Sequence, residues 1–316
     1  MNISTHSIST TTSIFSLIVI GYALSKLTKR NYSNTLSDYV FYLALPLEIL
    51  LATSRVQTEE MYTNSGFLYS YILGILAFWC ILVPFYTNIY QKKRQELGLI
   101  LIAVGQTNTA YLAIPIFILM FGSPTLIIPI IVFQSLILTT ICIIMMQPQA
   151  TSTPYKFKNI LRSAAKTAIK NPLIPSAFLG LALAILKIPV PDSGSLGRTI
   201  ELIATTAAPI ALLALGASFN EEKKSSDTKS DYSEVTVGIA FKVFLHPIIA
   251  FFIGKYFFSL DGKLLLALVV VSAMPSPKNT FILAKAFNLA PIKYNLILLG
   301  STLFSFIAIN LAFSLI

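Results

Sequence analysis

Gln106, Thr107, Asn108 and Thr109 stand in a row inside Leu97–Phe121, a stretch otherwise apolar enough to cross a bilayer. Amides and hydroxyls at that depth are costly unless they line a cavity or are buried in protein. Pro115, further along the same stretch, removes a backbone donor, so a helix break is expected there. Near the other end of the chain, Asn279–Ala284 (NTFILA) echoes Asn108–Ala113 (NTAYLA), directly after Pro275, Pro277 and Lys278. Two interrupted helices in matching positions of two halves point to a transporter's binding site. A broken helix exposes amide N–H groups at the start of one half, where partial positive charge suits an anion.

Asn108 and Asn279 each carry donors and an acceptor, so they can bind a carboxylate or repair the breaks. Lys278 sits at the least comfortable place for a charge. It can act as counter-charge for an anionic substrate, as a proton carrier, or as a tethered replacement for sodium at the carbonyl ends. Glu48, close after Pro46, is a candidate for coupling: it can pair with Lys278, accept a proton, or be satisfied locally. Gln106 and Thr107 are secondary candidates for lining the site, whereas Thr109 and Thr280 are expected to bond back to their own helices. Lys242 and His246 lie one turn apart on one helical face. A proton relay is conceivable at His246, but the adjacent Pro247 favours a structural role.

These residues need spanning helices to hold them, and the composition supplies them. Over 316 residues the chain is 55% hydrophobic and 11% charged, with mean hydropathy +0.75; a soluble domain would carry about 25% charge. A spanning helix needs ~20 mostly apolar residues. Candidates are Ile8–Leu27, Leu36–Thr53, Gly66–Ile89, Leu97–Phe121, Leu126–Met146, Pro172–Ile188, Leu196–Phe219, Val235–Phe258, Leu264–Phe287 and Tyr294–Ile316. The chain is therefore expected to be an all-α membrane protein of about ten transmembrane helices. The first is read as a retained helix, because Met1–Ser13 lacks a basic n-region. Between the fifth and sixth, residues 147–171 carry Lys156, Lys158, Arg162, Lys166 and Lys170 among apolar residues. That pattern fits a basic amphipathic helix on an anionic inner leaflet, or an ordinary inside loop. The linker Asn220–Ser233 is charged and poor in apolar residues. Cys80 and Cys142 fall in apolar segments and are read as packing residues.

With alternate loops assigned to alternate sides, roughly 16 of the 23 Lys and Arg fall on one side and about five on the other. The net charge of +10 is thus a topology signal and not a nucleic-acid surface; it puts both termini outside and the basic loops in the cytoplasm. Ala44–Leu47 (ALPL) matches Ala207–Ile210 (AAPI), an offset of 163 from Pro46 to Pro209, and Asn108 to Asn279 is an offset of 171. Five spans per half is odd, so a 5+5 repeat, residues 1–146 and 172–316, is inverted.

Five pieces of the chain resemble the auxin efflux carrier family, which includes plant auxin exporters and bacterial permeases proposed for malate or malonate. They are Phe41–Leu50 (FYLALPLEIL), Gly105–Ile116 (GQTNTAYLAIPI), Ala208–Ser218 (APIALLALGAS), Lys242–Ile248 (KVFLHPI) and Ala273–Ala284 (AMPSPKNTFILA). The resemblance implies the fold of sodium/proton antiporters and bile-acid symporters, with two broken helices crossing at mid-membrane. It implies a scaffold of spans one, two, six and seven that forms a homodimer, a transport domain of the remaining spans, and elevator-like movement. The family often has a small apolar residue at the place of Lys278.

The expected function is a secondary transporter, or permease, of a small organic anion in the plasma membrane, with proton or sodium as the candidate coupling ion. No phosphate-cradling Gly-rich loop followed by Lys and Ser or Thr is present. With His6 and His246 as the histidines, no metal-ligand cluster is expected, so no enzyme and no cofactor. The alternatives are a cation/proton antiporter of the same fold, which would want an acidic crossover, and a non-transporting membrane sensor.

Overall fold

The computed structural model describes residues 3–30, 32–56, 65–147, 171–190, 194–221 and 232–316. The basic connection after the fifth span, apart from its ends, and most of the charged linker lie outside them. The regular structure of the described residues is all helical, with no strand. In order the helices are α1 (Ile3–Thr28), α2 (Ser33–Ser54), α3 (Ser65–Asn88), α4 (Arg94–Ala103), α5 (Thr109–Phe121) and α6 (Thr125–Met146). They continue as α7 (Leu173–Ile185), α8 (Gly194–Asn220), α9 (Tyr232–Phe257), α10 (Gly262–Ser272), α11 (Asn279–Ala286) and α12 (Pro291–Leu315). Seven are long and apolar enough to cross a membrane; α5, α7 and α10 are shorter apolar helices. Large apolar side chains such as Leu27, Leu196, Phe257 and Leu303 are exposed, as they are where lipid replaces water as solvent.

The helices fall into two compact units. One holds Met1–Ser65, Thr109–Val132 and Ala168–Lys224; the other holds Gly66–Asn108, Phe133–Thr167 and Ser225–Ile316. In the first unit α1 lies along α8 and α2 along α7. Bare glycine allows this closeness. A Cβ on Gly21 would collide with the carbonyl of Leu213, and one on Gly216 with that of Ile18. Small residues of this kind let helix backbones pack without a hydrophobic driving force, as membranes require.

Three of the prolines that lie inside helices share one arrangement. Pro46, Pro115 and Pro247 each follow a wide turn, at Val40–Ala44, Thr109–Ala113 and Phe241–Leu245 respectively. Proline offers no N–H to the preceding turn and its ring crowds the carbonyl four residues back; widening that turn removes the clash while keeping the helix continuous. Pro115 is therefore not the break expected from the sequence. The chain unwinds before it, across residues 104–108, and Pro115 sits within α5.

Candidate functional site

The unwound stretch between α4 and α5 begins at Gly105. A side chain there would strike the Trp79 indole nitrogen and the Leu101 carbonyl, so only glycine lets the chain leave the helix against α3. Gln106 N–H still donates to the Ile102 carbonyl at 3.1 Å, and the two donors after it find partners outside the helical ladder. Thr107 N–H donates to Gln134 Oε1 at 2.9 Å, and Asn108 N–H donates to the carbonyl of Pro275 at 2.9 Å. The Thr107 hydroxyl also reaches Gln134 Oε1 at 3.1 Å, as does the Tyr71 hydroxyl at 2.9 Å. Gln134 Nε2 returns a bond to the Thr107 carbonyl at 3.4 Å. One buried amide from α6 thus replaces the turn of helix that Thr107 lost.

The second break, between α10 and α11, is repaired in the same manner from α12 and α9. Pro275 and Pro277 carry no N–H, and Ser276 N–H donates to Ser301 Oγ at 3.1 Å. The Ala273 carbonyl accepts from Ser305 Oγ at 2.8 Å, and the Ser272 carbonyl from Lys242 Nζ at 3.4 Å. Pro277 O accepts from the Thr280 hydroxyl at 2.7 Å, the local bond expected for that threonine. These backbone groups are therefore satisfied in turn, as an unwound segment at apolar depth requires, whereas the buried Ser272 and Ser276 hydroxyls have no hydrogen-bond partner among the described residues.

Asn108 and Pro275 join the two breaks directly, so the two interrupted helices meet at their unwound segments. Asn108 is buried at the end of the first break. Lys278 is half-buried at the end of the second, and Asn279, the first residue of α11, is exposed. The two asparagines are thus not equivalent in burial. Gln106 and Thr107 are both buried and turned toward α6: Gln106 Oε1 accepts from Thr139 Oγ1 at 3.0 Å, and its amide lies 3.8 Å from Cys142 Sγ. Their side chains hold the break in place and are spent on protein partners. Glu48 is half-buried in α2, in the first turn after the wide turn, and belongs to the other compact unit.

Of two further polar constellations, the first is signalled by helical spacing and the second has no clear signal in the sequence. Lys242 and His246 are completely buried, with Nζ 3.2 Å from His246 Nδ1. The Phe78 ring stacks on the imidazole at 4.7 Å between centroids and 4° between planes. Nearer the ends of the helices, buried Glu234 binds Lys293 at 2.8 Å and Lys92 at 3.0 Å, and Lys92 also reaches Glu96 at 3.3 Å. Burial pulls the Lys92 ammonium down, but the Glu234 and Glu96 carboxylates outweigh it and hold the group above its ordinary value. Among the described residues no group of His, Cys, Asp and Glu could hold a metal ion.

Comparison with known proteins agrees with this architecture. A protein of Rhizobium meliloti (strain 1021) named "Putative malonate transporter" is 23% identical over 296 residues, covering 92% of this chain and 90% of the relative. The family described as membrane transport protein matches residues 6–312. The chain is an integral membrane protein and belongs to that family, the auxin efflux carriers.

Proposed function

We propose that the protein is a secondary transporter of a small organic anion, with Asn108, Lys278 and Asn279 as the substrate-binding residues. The observation that carries this is the hydrogen bond from Asn108 N–H to the Pro275 carbonyl. It brings the unwound ends of two helices together, and discontinuous helices use their amide ends for anionic groups and their carbonyl ends for cations. Lys278 adds a full positive charge beside the N-terminus of α11. The name of the Rhizobium relative supports a carboxylate as the class of anion.

In this proposal the seven long helices and the three shorter apolar ones make ten spans in a 5+5 inverted repeat. Both termini lie outside the plasma membrane, and access alternates by elevator-type movement in a homodimer. Gln106 and Thr107 support the site without contacting the ligand. An inside-negative potential favours anion export by ~2.3 kcal/mol per charge per 100 mV, so export needs no coupling ion.

The test is thermal stabilisation of the purified protein against a panel of mono- and dicarboxylates. A saturable rise in Tm with one class of carboxylate is expected. Stabilisation by sodium or protons with no response to any carboxylate would favour a cation/proton antiporter instead.

A further inference from the structure

Lys242 is fully buried deep in an apolar helix, and among the described residues it forms no salt bridge with a carboxylate. A buried ammonium is costly unless something replaces its water. Its replacements are specific. Nζ lies 3.4 Å from the carbonyl of Ser272, the last residue of α10, and 3.2 Å from His246 Nδ1. The Ser272 carbonyl belongs to the C-terminal end of a half-helix, where the aligned peptide dipoles leave partial negative charge. The neighbouring Ala273 carbonyl is already taken by Ser305. His246 is fixed by its stack on Phe78 and by the adjacent Pro247, which hold Nδ1 toward Lys242 Nζ.

In transporters built on broken helices, the carbonyl ends of the half-helices coordinate the exchangeable coupling cation. Here that end is already met by the Lys242 Nζ, tethered to α9. We propose that Lys242, oriented by His246, is a tethered cation that fills the coupling-cation position at the end of α10, so that sodium has no part in the cycle. Lys242 is thus a specificity-determining residue for coupling, separate from the substrate-binding role given to Lys278. This inference rests on the transporter reading, but its test needs no substrate, so the two can fail separately.

The experiment is thermal unfolding of the purified full chain at constant ionic strength in choline, sodium, methylammonium or ethylammonium chloride. For the natural sequence the expected Tm is the same in sodium and choline. Lys242→Ala should unfold several degrees lower in choline and recover at least half of that loss in methylammonium or ethylammonium, which fit the vacated space. Lys242→Met, which keeps the volume and loses the charge, should be destabilised and show no such recovery. A saturable sodium-dependent rise in Tm for the natural sequence would overturn the proposal. So would Lys242→Met matching the natural Tm, or Lys242→Ala showing a loss that no alkylammonium restores. Should Lys242→Ala fail to fold, the sodium titration of the natural sequence and the Met variant still decide.

Discussion

The backbone N–H of Asn108 donates to the carbonyl of Pro275 at 2.9 Å, and through that bond the two unwound segments of the chain support each other. Neither partner is a side chain, so short of proline at position 108, which has no N–H, substitution can only release the groups that hold each segment in position. Gln134 is the foremost of these. Gln134→Leu would strand the Thr107 N–H and carbonyl, each at a cost of about 1–3 kcal/mol, and leave the Tyr71 hydroxyl only its longer contact with the Thr107 hydroxyl. We expect a large loss of Tm in detergent, with Gln134→Glu intermediate because it keeps the acceptor and loses the donor. A Gln134→Leu protein as stable as the natural one would mean that the first break is held by something else.

Gly105 should tolerate no side chain. The collision with Trp79 and the Leu101 carbonyl leaves no rotamer to escape into, since one of the obstructing atoms is backbone. Gly105→Ala is expected to destabilise more than Gly122→Ala. The latter replaces a residue at φ 82 with open space around its Cβ position, and costs about 1 kcal/mol of backbone strain. Thermal unfolding of the two variants side by side measures the difference.

Glu234 lies between two ammonium groups and is almost wholly buried. Glu234→Gln leaves Lys293 without its counter-charge, and breaking a buried pair from one side costs about 3–5 kcal/mol. The cluster also has a pH signature. Lys92 has a folded value raised above the ordinary 10.5 by Glu234 and Glu96. A raised lysine stabilises the fold fully below its unfolded value and loses that contribution as pH rises through the folded one. The stabilisation should therefore be constant across neutral pH and disappear only in strong alkali. Lys92→Met should lower Tm near neutrality and flatten the alkaline fall; an alkaline limb unchanged in that variant would remove Lys92 from the explanation. Because Lys92 is part-exposed, the effect is expected to be modest.

Much of this arrangement can be read from residues alone, and the parts that cannot share a physical cause. The polar run Gln106–Thr109 and the pair Pro275 and Pro277 signal unwound backbone because their chemistry conflicts with an apolar helix. Pro115 misleads, because a wide turn at Thr109–Ala113 absorbs its missing donor, and nothing in composition announces a wide turn. Gln134, Ser301 and Ser305 are single polar residues in apolar helices. What they bond to depends on which helix is adjacent, and periodicity carries no such information. Glu234 sits at the edge of a charged linker, where solvent is the default partner, and Lys293 lies just inside α12. Their pairing emerges only once α9 and α12 are side by side. Lys242 and His246 had a real signal, spacing on one face, but the carbonyl of Ser272 that gives the lysine its purpose lies 30 residues away.

The most direct measurement is counterflow of labelled malonate into proteoliposomes preloaded with unlabelled carboxylates, comparing the natural sequence with Lys278→Ala. The expected result is saturable uptake driven by one or more internal carboxylates, reduced at least tenfold in Lys278→Ala while Tm without ligand stays within a few degrees. Protein that folds and reconstitutes yet exchanges no carboxylate, or Lys278→Ala that exchanges as fast as the natural sequence, would contradict the assignment of the crossover as an organic-anion site.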